Sequence, residues 1–511
     1  MKQFFKIILI IYLFLNGNLF AQDPFFDKIS KLKENSVVPK LTHEQMYQDF
    51  DDFVNIIKNC NPQYLVLKEL TGYDMVDEIK SYRSQIEKIE TTLEFIALMK
   101  TVMSCVLEGH CFLGVQVWWH RYGVYENEVA LLNLSDEDFG IMFHYRDSVF
   151  WVNPPSLKLW YSDKKYFLKY TTTFYTKTDS IILSSGTEIL SYKHKPILEF
   201  LGKLRTEYSS WDMKNKIFYT NVLQIKDSVS NIMVKTENST LSFDFYNFKE
   251  DERVFDMLKF SKIHTHYFEK DSILYIRLPL MSVHKDTLQT QILKHKTQLL
   301  KSVIIDIREN YGGADKTWMS LLGLIGGNPI ELHSSILIND DPEVLKRYPD
   351  TVGIRNYPML NTEKPFLVLD DHKEMFEIPE NNLEYDGNIY ILVDEEIFSS
   401  AGGFASMAAQ SNRIKTVGIP TGKYTGRGAT PTAFKLPYSK LVFILHITLD
   451  DACVNVIEDF LHDKVTYPIS PSINYYRYYH HPKRSYEVNE DVMYKNDEVF
   501  VKALEIIKNE K

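Results

Sequence analysis

The 511-residue chain has only four cysteines, Cys60, Cys105, Cys111 and Cys453. None stands at zinc-site spacing, and so few cannot staple a chain of this length into a disulfide scaffold. A Cys60–Cys105 pair, both on predicted helices of one domain, and buried free thiols remain equal alternatives. Basic excess is also missing: the formal charge is -10, with acids and bases interspersed. Without a basic tract or a basic aromatic stripe, no nucleic-acid partner is expected. Internal repeats and low-complexity tracts are absent, which excludes solenoids and disordered arrays. No apolar run of membrane-spanning length occurs, so no stable membrane span is expected.

What is present is the composition of a folded chain, 44% hydrophobic and 25% charged. Its length suggests two to four domains. Lys2 and Lys6 precede the apolar run Ile7 to Leu15, and Leu19-Phe20-Ala21 follows. This is the pattern of a secretory signal peptide over 1–21, cut after Ala21 and too short to span a bilayer. No cysteine lies near the cut to take a lipid. The mature protein is expected to be exported and soluble: periplasmic, cell-surface or secreted.

Residues 22–40 read as a linker. From 41 to 115 the spacing predicts helices. Phe50, Phe53, Ile56 and Ile57 lie on one, ended by Asn61-Pro62; Met75, Ile79 and Tyr82 lie on a second. A third carries Phe95, Leu98, Met99 and Val102, with Gly109 as its capping glycine. Residues 116–262 read as β-rich, with short apolar runs such as Val149-Phe150-Trp151-Val152. The turn and strand Ser184 to Lys193, followed by a helix from Pro196, form a PDZ-like module. From 263 to 511 strands alternate with helices. Ser302-Val-Ile-Ile-Asp306-Ile is apolar throughout, as when both faces of a sheet are covered. A strand is also expected over Leu441 to Leu449, and a last helix over 497–507.

One stretch stands out: Ile389 to Val393 as a buried strand, then Asp394-Glu-Glu-Ile-Phe-Ser399-Ser400-Ala-Gly-Gly, then a helix. A serine on a tight strand-to-helix turn, beside the positive end of a helix, suits a nucleophile and its oxyanion. The same residues also suit an ordinary helix cap. A second stretch, Asp306-Ile-Arg308-Glu-Asn310-Tyr-Gly312-Gly313, follows a buried strand. Its paired glycines would let backbone N–H groups face a developing anion. No Gly-Lys-Ser/Thr follows, so it is no P-loop.

Together these stretches resemble the tail-specific, or C-terminal-processing, serine peptidases. That family carries Asp-x-Arg-x-Asn-x-Gly-Gly after a strand, then Ser-Ala-x-Glu, Val-Gly-x-x-Thr-Gly and Leu-Pro. Here the order is Asp306 to Gly313, Ser399-Ser400-Ala401-Gly402, Val417-Gly418-Ile-Pro-Thr421-Gly422 and Leu436-Pro437. Leu107-Glu108-Gly109-His110 stands where relatives often read Leu-x-Asp-Gly-His. The resemblance implies an α/β multidomain protein. Its parts would be an N-terminal helical domain, a β-rich PDZ-like middle domain and a C-terminal α/β catalytic domain of crotonase-like, ClpP-like fold.

It also implies site residues. The ungapped register places Ser399 as nucleophile, with Ser400 the alternative. Gly312 or Gly313, with the Ser400 N–H, would form the oxyanion hole. In the tricorn-like branch the base is a histidine, here His110. In the processing branch it is a lysine; the ungapped position holds Tyr424, and the adjacent Lys423 is the alternative base. Arg427 stays charged and cannot serve. Neutral imidazole near pH 7 is the better base, because a lysine must first be desolvated. Glu458, with Asp459 as runner-up, would orient the histidine. No metal or organic cofactor is called for, and the partner is a peptide or protein substrate. Gly402 stands where relatives place a glutamate. This supports an alternative: an impaired relative that binds a peptide or apolar ligand. An α/β-hydrolase is disfavoured because neither serine sits in Gly-x-Ser-x-Gly.

Overall fold

The N-terminal helices start where polar side chains can satisfy free backbone donors. Thr42 and Thr91 each close a capping box, with Gln45 and Glu94 as reciprocal partners. The helix His43–Cys60 buries Phe50, Phe53 and Ile57 on one face, and Thr92–Met103 buries Phe95, Leu98, Met99 and Val102. Met75–Ser81 matches the expected second helix, and a further helix, Gln63–Thr71, begins directly after Pro62. The structure is a computed structural model. It describes residues 30–510 except 115–131, 133, 151–153, 207–208, 252–261, 328–330, 361–364, 376, 409, 422–427, 429–430, 452–453, 462–463, 482–483 and 485–487. The expected signal peptide therefore lies outside the described residues. Among those described, no helix is long and apolar enough to cross a membrane.

The segment after residue 116 departs from the expected β-rich pattern. Ser135 closes a capping box on the helix Asp136–Tyr145, which continues as one π-helical turn, Arg146–Phe150. Val149 and Phe150 are thus helical, and they join Ile141, Met142 and Tyr145 in the core of the N-terminal helices. The strand-like run fails as a predictor because the cap sets the local structure upstream of it. Strands begin at Ser156. They form a seven-stranded antiparallel sheet in which Ser156–Ser162, Lys165–Leu168, Glu188–Tyr192 and Ser230–Lys235 are successive neighbours. The short helix Ile197–Gly202 packs on this sheet.

The C-terminal part is organised by a six-stranded sheet. Its order is His264–Phe268, Ile273–Arg277, Ser302–Asp306, Ile389–Val393, Ile414–Gly418 and Tyr467–Pro468. The first pair is antiparallel and the rest are parallel. Side chains alternate between two cores. Leu274, Ile276, Val303, Ile305, Ile389, Ile391 and Val393 face the helices Lys316–Ile325 and Ser400–Ala408. Tyr275, Ile304, Tyr390, Leu392 and Val417 face the C-terminal helices, with Trp160 of the middle sheet among them. Coverage on both faces explains why these strands are apolar throughout.

The strand expected over Leu441 to Leu449 is two strands in two sheets. Val442–Leu445 lies between Phe112–Leu113 and Thr432–Lys435. Thr448–Asp450 pairs with Glu331–Ile338. His446 and Ile447 lie at the crossing from one sheet to the other.

Candidate active site

The strand Ile389–Val393 is buried along its whole length, and the helix Ser400–Ala408 starts seven positions after it. The connection turns sharply at Ser399, whose φ is +55°. A residue with a β-carbon adopts this left-handed conformation at a cost of roughly 1–2 kcal/mol, so its surroundings must hold it there. They do so through backbone bonds. Phe398 N–H donates to Asn310 O at 3.0 Å, Ala401 N–H to Phe398 O at 3.1 Å, and Gly403 N–H to Ser399 O at 2.9 Å. The Ser399 side chain is half-buried. Ser400 is buried and its hydroxyl donates to Asp315 Oδ1 at 2.5 Å, so the two serines occupy different environments.

Gly312 is packed directly under this turn. A β-carbon there would lie 2.6 Å from Ser399 Cβ, 2.7 Å from Phe398 O and 3.0 Å from Ser400 N. Its N–H is already committed to Asn310 Oδ1 at 2.8 Å. The Gly312 carbonyl accepts from Met281 N–H at 2.9 Å, and Ala314 N–H returns to Met281 O at 2.6 Å. In the trans peptide between the two glycines, the Gly313 N–H points opposite to that carbonyl, away from Met281. Among the described residues, the N–H groups of Gly313 and Ser400 donate to no acceptor.

The Asp306-x-Arg308 part of the motif is structural. Asp306 is fully buried; it accepts from Tyr275 (2.6 Å), Arg277 (2.7 Å) and two nitrogens of Arg308 (2.6 and 2.9 Å). Burial alone would raise its carboxyl, but the two guanidinium charges outweigh that and hold it far below the usual range. Arg308 also donates to both oxygens of Asp497, at 2.7 and 2.8 Å. Asp497 in turn caps the final helix, Glu498–Asn509. This network fixes the loop that carries the glycines.

His110 reaches the same region from the helical part. Phe112 pairs with Ile444 and Leu113 with Phe443 in antiparallel register. Continuing that register by two residues sets His446 opposite His110, and the two rings are 5.4 Å apart. Glu108 lies between them, with Oε1 3.3 Å from His110 Nδ1 and 3.8 Å from His446 Nδ1. Its other oxygen accepts from the His110 backbone N–H at 2.9 Å and from the Cys111 thiol at 3.1 Å. Burial would raise the Glu108 carboxyl, but the His110 hydrogen bond and the two imidazoles more than offset it, leaving it below its ordinary value. The Cys111 thiol is pushed well up by burial and by Glu108, so it stays protonated and donates.

The His110 ring packs 4.5 Å from that of Phe398, the residue before Ser399. Gly109 is needed for this approach: a β-carbon would come within 2.6 Å of the Phe398 ring. The helix itself ends earlier, at a right-handed Ser104, so Gly109 is not its cap.

Of the residues expected to form the site, Ser399, Ser400, Gly312 and Gly313 lie together, and His110 joins them through Phe398. Glu458 does not meet the histidine. It sits on the short turn Ile457–Phe460, partly exposed, 3.9 Å from Lys216. Asp459 is occupied at the start of that same turn, accepting from Asn455 N–H (2.8 Å) and Val456 N–H (3.1 Å). The carboxylate on His110 is instead Glu108, two residues away in sequence. Lys423, Tyr424 and Arg427 lie outside the described residues, as does Cys453. Cys60, Cys105 and Cys111 are buried free thiols, so the Cys60–Cys105 pairing is not formed. His446 and Asp315 were missed by sequence reading. His446 does leave a trace, as a histidine inside the otherwise mostly apolar run from Leu441.

A buried polar layer under the turn connects it to the middle sheet. Asp394 accepts from the backbone N–H groups of Glu309 (3.0 Å) and Glu396 (3.1 Å). Burial, reinforced by Glu395 and Glu309, raises its carboxyl well above the usual range. Lys169, from the middle sheet region, lies 3.4 Å from Glu396. His480 lies 3.4 Å from Glu309, and its pKa is lowered to about 4 by burial and then by the charge of Lys169.

The parallel sheet, the serine turn and the glycine pair beneath it come together as one candidate site. Residues 272–445 match the model of Peptidase family S41. That match supports a serine-type peptidase acting on a peptide or protein. Three solved structures resemble nearly the whole chain. Mature CPAF complexed with lactacystin is 12% identical with a TM-score of 0.53, covering 91% of this chain and 99% of that one. Mature CPAF is 13% identical with a TM-score of 0.53, covering 91% and 98%. A CPAF mutant is 11% identical with a TM-score of 0.54, covering 91% and 98%. At such identities the likeness is one of fold. No curated protein matches the sequence.

Proposed function

We propose that the chain is an exported serine endopeptidase in which Ser399 is the nucleophile. The observation that carries this is the left-handed Ser399 on the turn between a buried strand and a helix, with Gly312 packed against its β-carbon. Ser400 is the weaker candidate because its hydroxyl is buried against Asp315. His110 is the general base. With Glu108 accepting from Nδ1–H, the other ring nitrogen, Nε2, is left as the proton acceptor. Glu108 therefore takes the orienting role first assigned to Glu458.

Ser399 Oγ attacks the scissile carbonyl carbon while its proton passes to His110. The carbonyl oxygen becomes an anion held by the N–H groups of Ser400 and Gly313, the pair without an acceptor among the described residues. The C–N bond then breaks, and the leaving amine takes the proton from His110. Water, activated by the same imidazole, hydrolyses the acyl-enzyme and restores Ser399. Among the described residues no hydrogen bond joins Ser399 and His110; such bonds commonly form only in the substrate complex. The middle sheet serves as the PDZ-like module, its position set against the catalytic half by Lys169–Glu396 and by Trp160 against Tyr476, with rings 5.1 Å apart.

The test is labelling by a fluorophosphonate serine probe. Wild type should label and Ser399→Ala should not. Equal labelling of the two would remove Ser399 as nucleophile. No labelling of wild type, together with tight uptake of a peptide or apolar ligand, would favour a binding protein on the same scaffold.

A further inference from the structure

Glu108, His110 and His446 do more than form a candidate catalytic pair with a neighbour. Each offers one ligand atom, and the three atoms lie within 4.8 Å of one another. Two neutral imidazoles and a carboxylate are the donor set of a borderline transition metal. They are poorly suited to magnesium or calcium, which prefer oxygen alone. A tetrahedral zinc ion with bonds of about 2.1 Å holds its ligand atoms about 3.4 Å apart. Glu108 Oε1 already lies 3.3 and 3.8 Å from the two Nδ1 atoms, on either side of that spacing. Small ring rotations would complete the triangle.

The surroundings fit a metal site as well. Glu108 and His446 are almost fully buried, while His110 is partly exposed, so one side opens to solvent. The second Glu108 oxygen is held by the Cys111 thiol and the His110 backbone N–H. His446 Nε2 lies 3.3 Å from Thr448 Oγ1; a hydrogen bond donated there leaves Nδ1 as the ligating atom. Outer partners of this kind orient metal ligands and raise affinity. The β-ladder through Phe112 and Ile444 holds the two histidines opposite each other without any ion.

We propose that Glu108, His110 and His446 form a zinc site whose occupation reversibly silences the peptidase. Three protein ligands and one water complete the coordination. Zinc binds the other tautomer of His110: the ring proton moves from Nδ1 to Nε2, zinc takes the Nδ1 lone pair in place of the hydrogen bond to Glu108, and Nε2, now an N–H, can no longer accept the Ser399 proton. The enzyme is then inactive in zinc-replete surroundings and active once the metal is withdrawn. The inhibitory half of this inference rests on His110 being the base. The binding half does not, because it needs no chemistry at Ser399.

The experiment therefore measures the two halves separately. Full-length Ser399→Ala protein is equilibrated with Zn2+ and, in parallel, with Co2+. Metal content after dialysis is measured, and the visible absorption of the cobalt form is recorded. One equivalent of Zn2+ and an intense, tetrahedral-type cobalt spectrum are expected. His446→Gln and Glu108→Gln should each weaken zinc binding at least about tenfold. Because buried His446→Gln can misfold, the partly exposed His110→Ala is included and should also lose the cobalt spectrum. In wild type, Zn2+ should slow fluorophosphonate labelling and a chelator should restore it. No stoichiometric zinc in Ser399→Ala, or an octahedral cobalt spectrum unchanged in His110→Ala, overturns the site. Zinc bound with labelling unaffected overturns the silencing. Zinc bound by a wild type that never labels leaves the metal site standing and removes the peptidase reading instead.

Discussion

Replacing Gly312 by alanine tests the geometry most directly, because the added atom has a known destination. The new β-carbon would lie 2.6 Å from Ser399 Cβ and 2.7 Å from Phe398 O, both backbone-bound atoms that cannot swing aside. Carbon atoms rest at about 3.5–4.0 Å, so the overlap is about 1 Å. Overpacking of this kind costs about 1–3 kcal/mol. The φ of +96° at Gly312 adds up to about 1 kcal/mol or somewhat more for a residue with a side chain. A loss of about 2–4 kcal/mol in stability is expected. Relief of the overlap must move Ser399 by a comparable distance, and a misplacement of about 1 Å can cost about 100-fold in rate. Gly403→Ala is the control on the adjoining helix. Its nearest contact would be Asp315 at 3.9 Å, and alanine is the better helix former by about 0.5–1 kcal/mol. The assay pairs fluorophosphonate labelling rates with urea unfolding. Gly312→Ala should label about 100-fold more slowly, while Gly403→Ala should label normally and unfold at equal or higher urea. If Gly312→Ala labels at the wild-type rate with unchanged stability, the packing of this glycine under the serine turn is refuted.

Other perturbations reach different parts of the argument. Ser400→Ala should keep most of the labelling lost in Ser399→Ala, since the backbone N–H remains and only the bond to Asp315 is removed; loss of labelling in Ser400→Ala alone would reverse the assignment. Asp497→Ala leaves the buried Arg308 short of one carboxylate and uncaps the final helix, so urea unfolding should show a loss of about 3–5 kcal/mol. For pH, His480 is held at a pKa of about 4 against an ordinary 6.5. The depressed value means that its contribution is fully present above pH 6.5 and is lost as the pH falls toward 4. The lowering from 6.5 to about 4 corresponds to about 3 kcal/mol. The stability difference between wild type and His480→Gln should therefore change by about that amount between pH 7 and 4, and a constant difference would contradict the buried neutral imidazole.

Much of the catalytic half was legible because its signals are local. Continuous apolar strands at Ser302–Asp306 and Ile389–Val393 announce a sheet covered on both faces, and the structure supplies a core on each. The expected helices of the N-terminal part begin at side chains that cap them. Errors arose where one local signal competed with another. Val149 and Phe150 have strand-like composition, yet the cap at Ser135 starts a helix that runs through them. The run from Leu441 to Leu449 reads as one strand, but its two ends pair in different sheets.

The amino-acid order by itself determines that a buried strand runs into a turn of small residues and then a helix; the left-handed Ser399 within that turn is held by Asn310 and Gly312 of a distant loop. Nor does the order settle the choice of acid. Glu458 and Glu108 are both carboxylates at workable places in the motif order, and spacing alone cannot separate them. Only the tertiary structure does so, because a short ladder joins Phe112 to Ile444 across more than three hundred residues. That pairing puts Glu108 and His446 beside His110 and leaves Glu458 against Lys216. Strand pairing over such a separation depends on long-range packing, which no local pattern encodes.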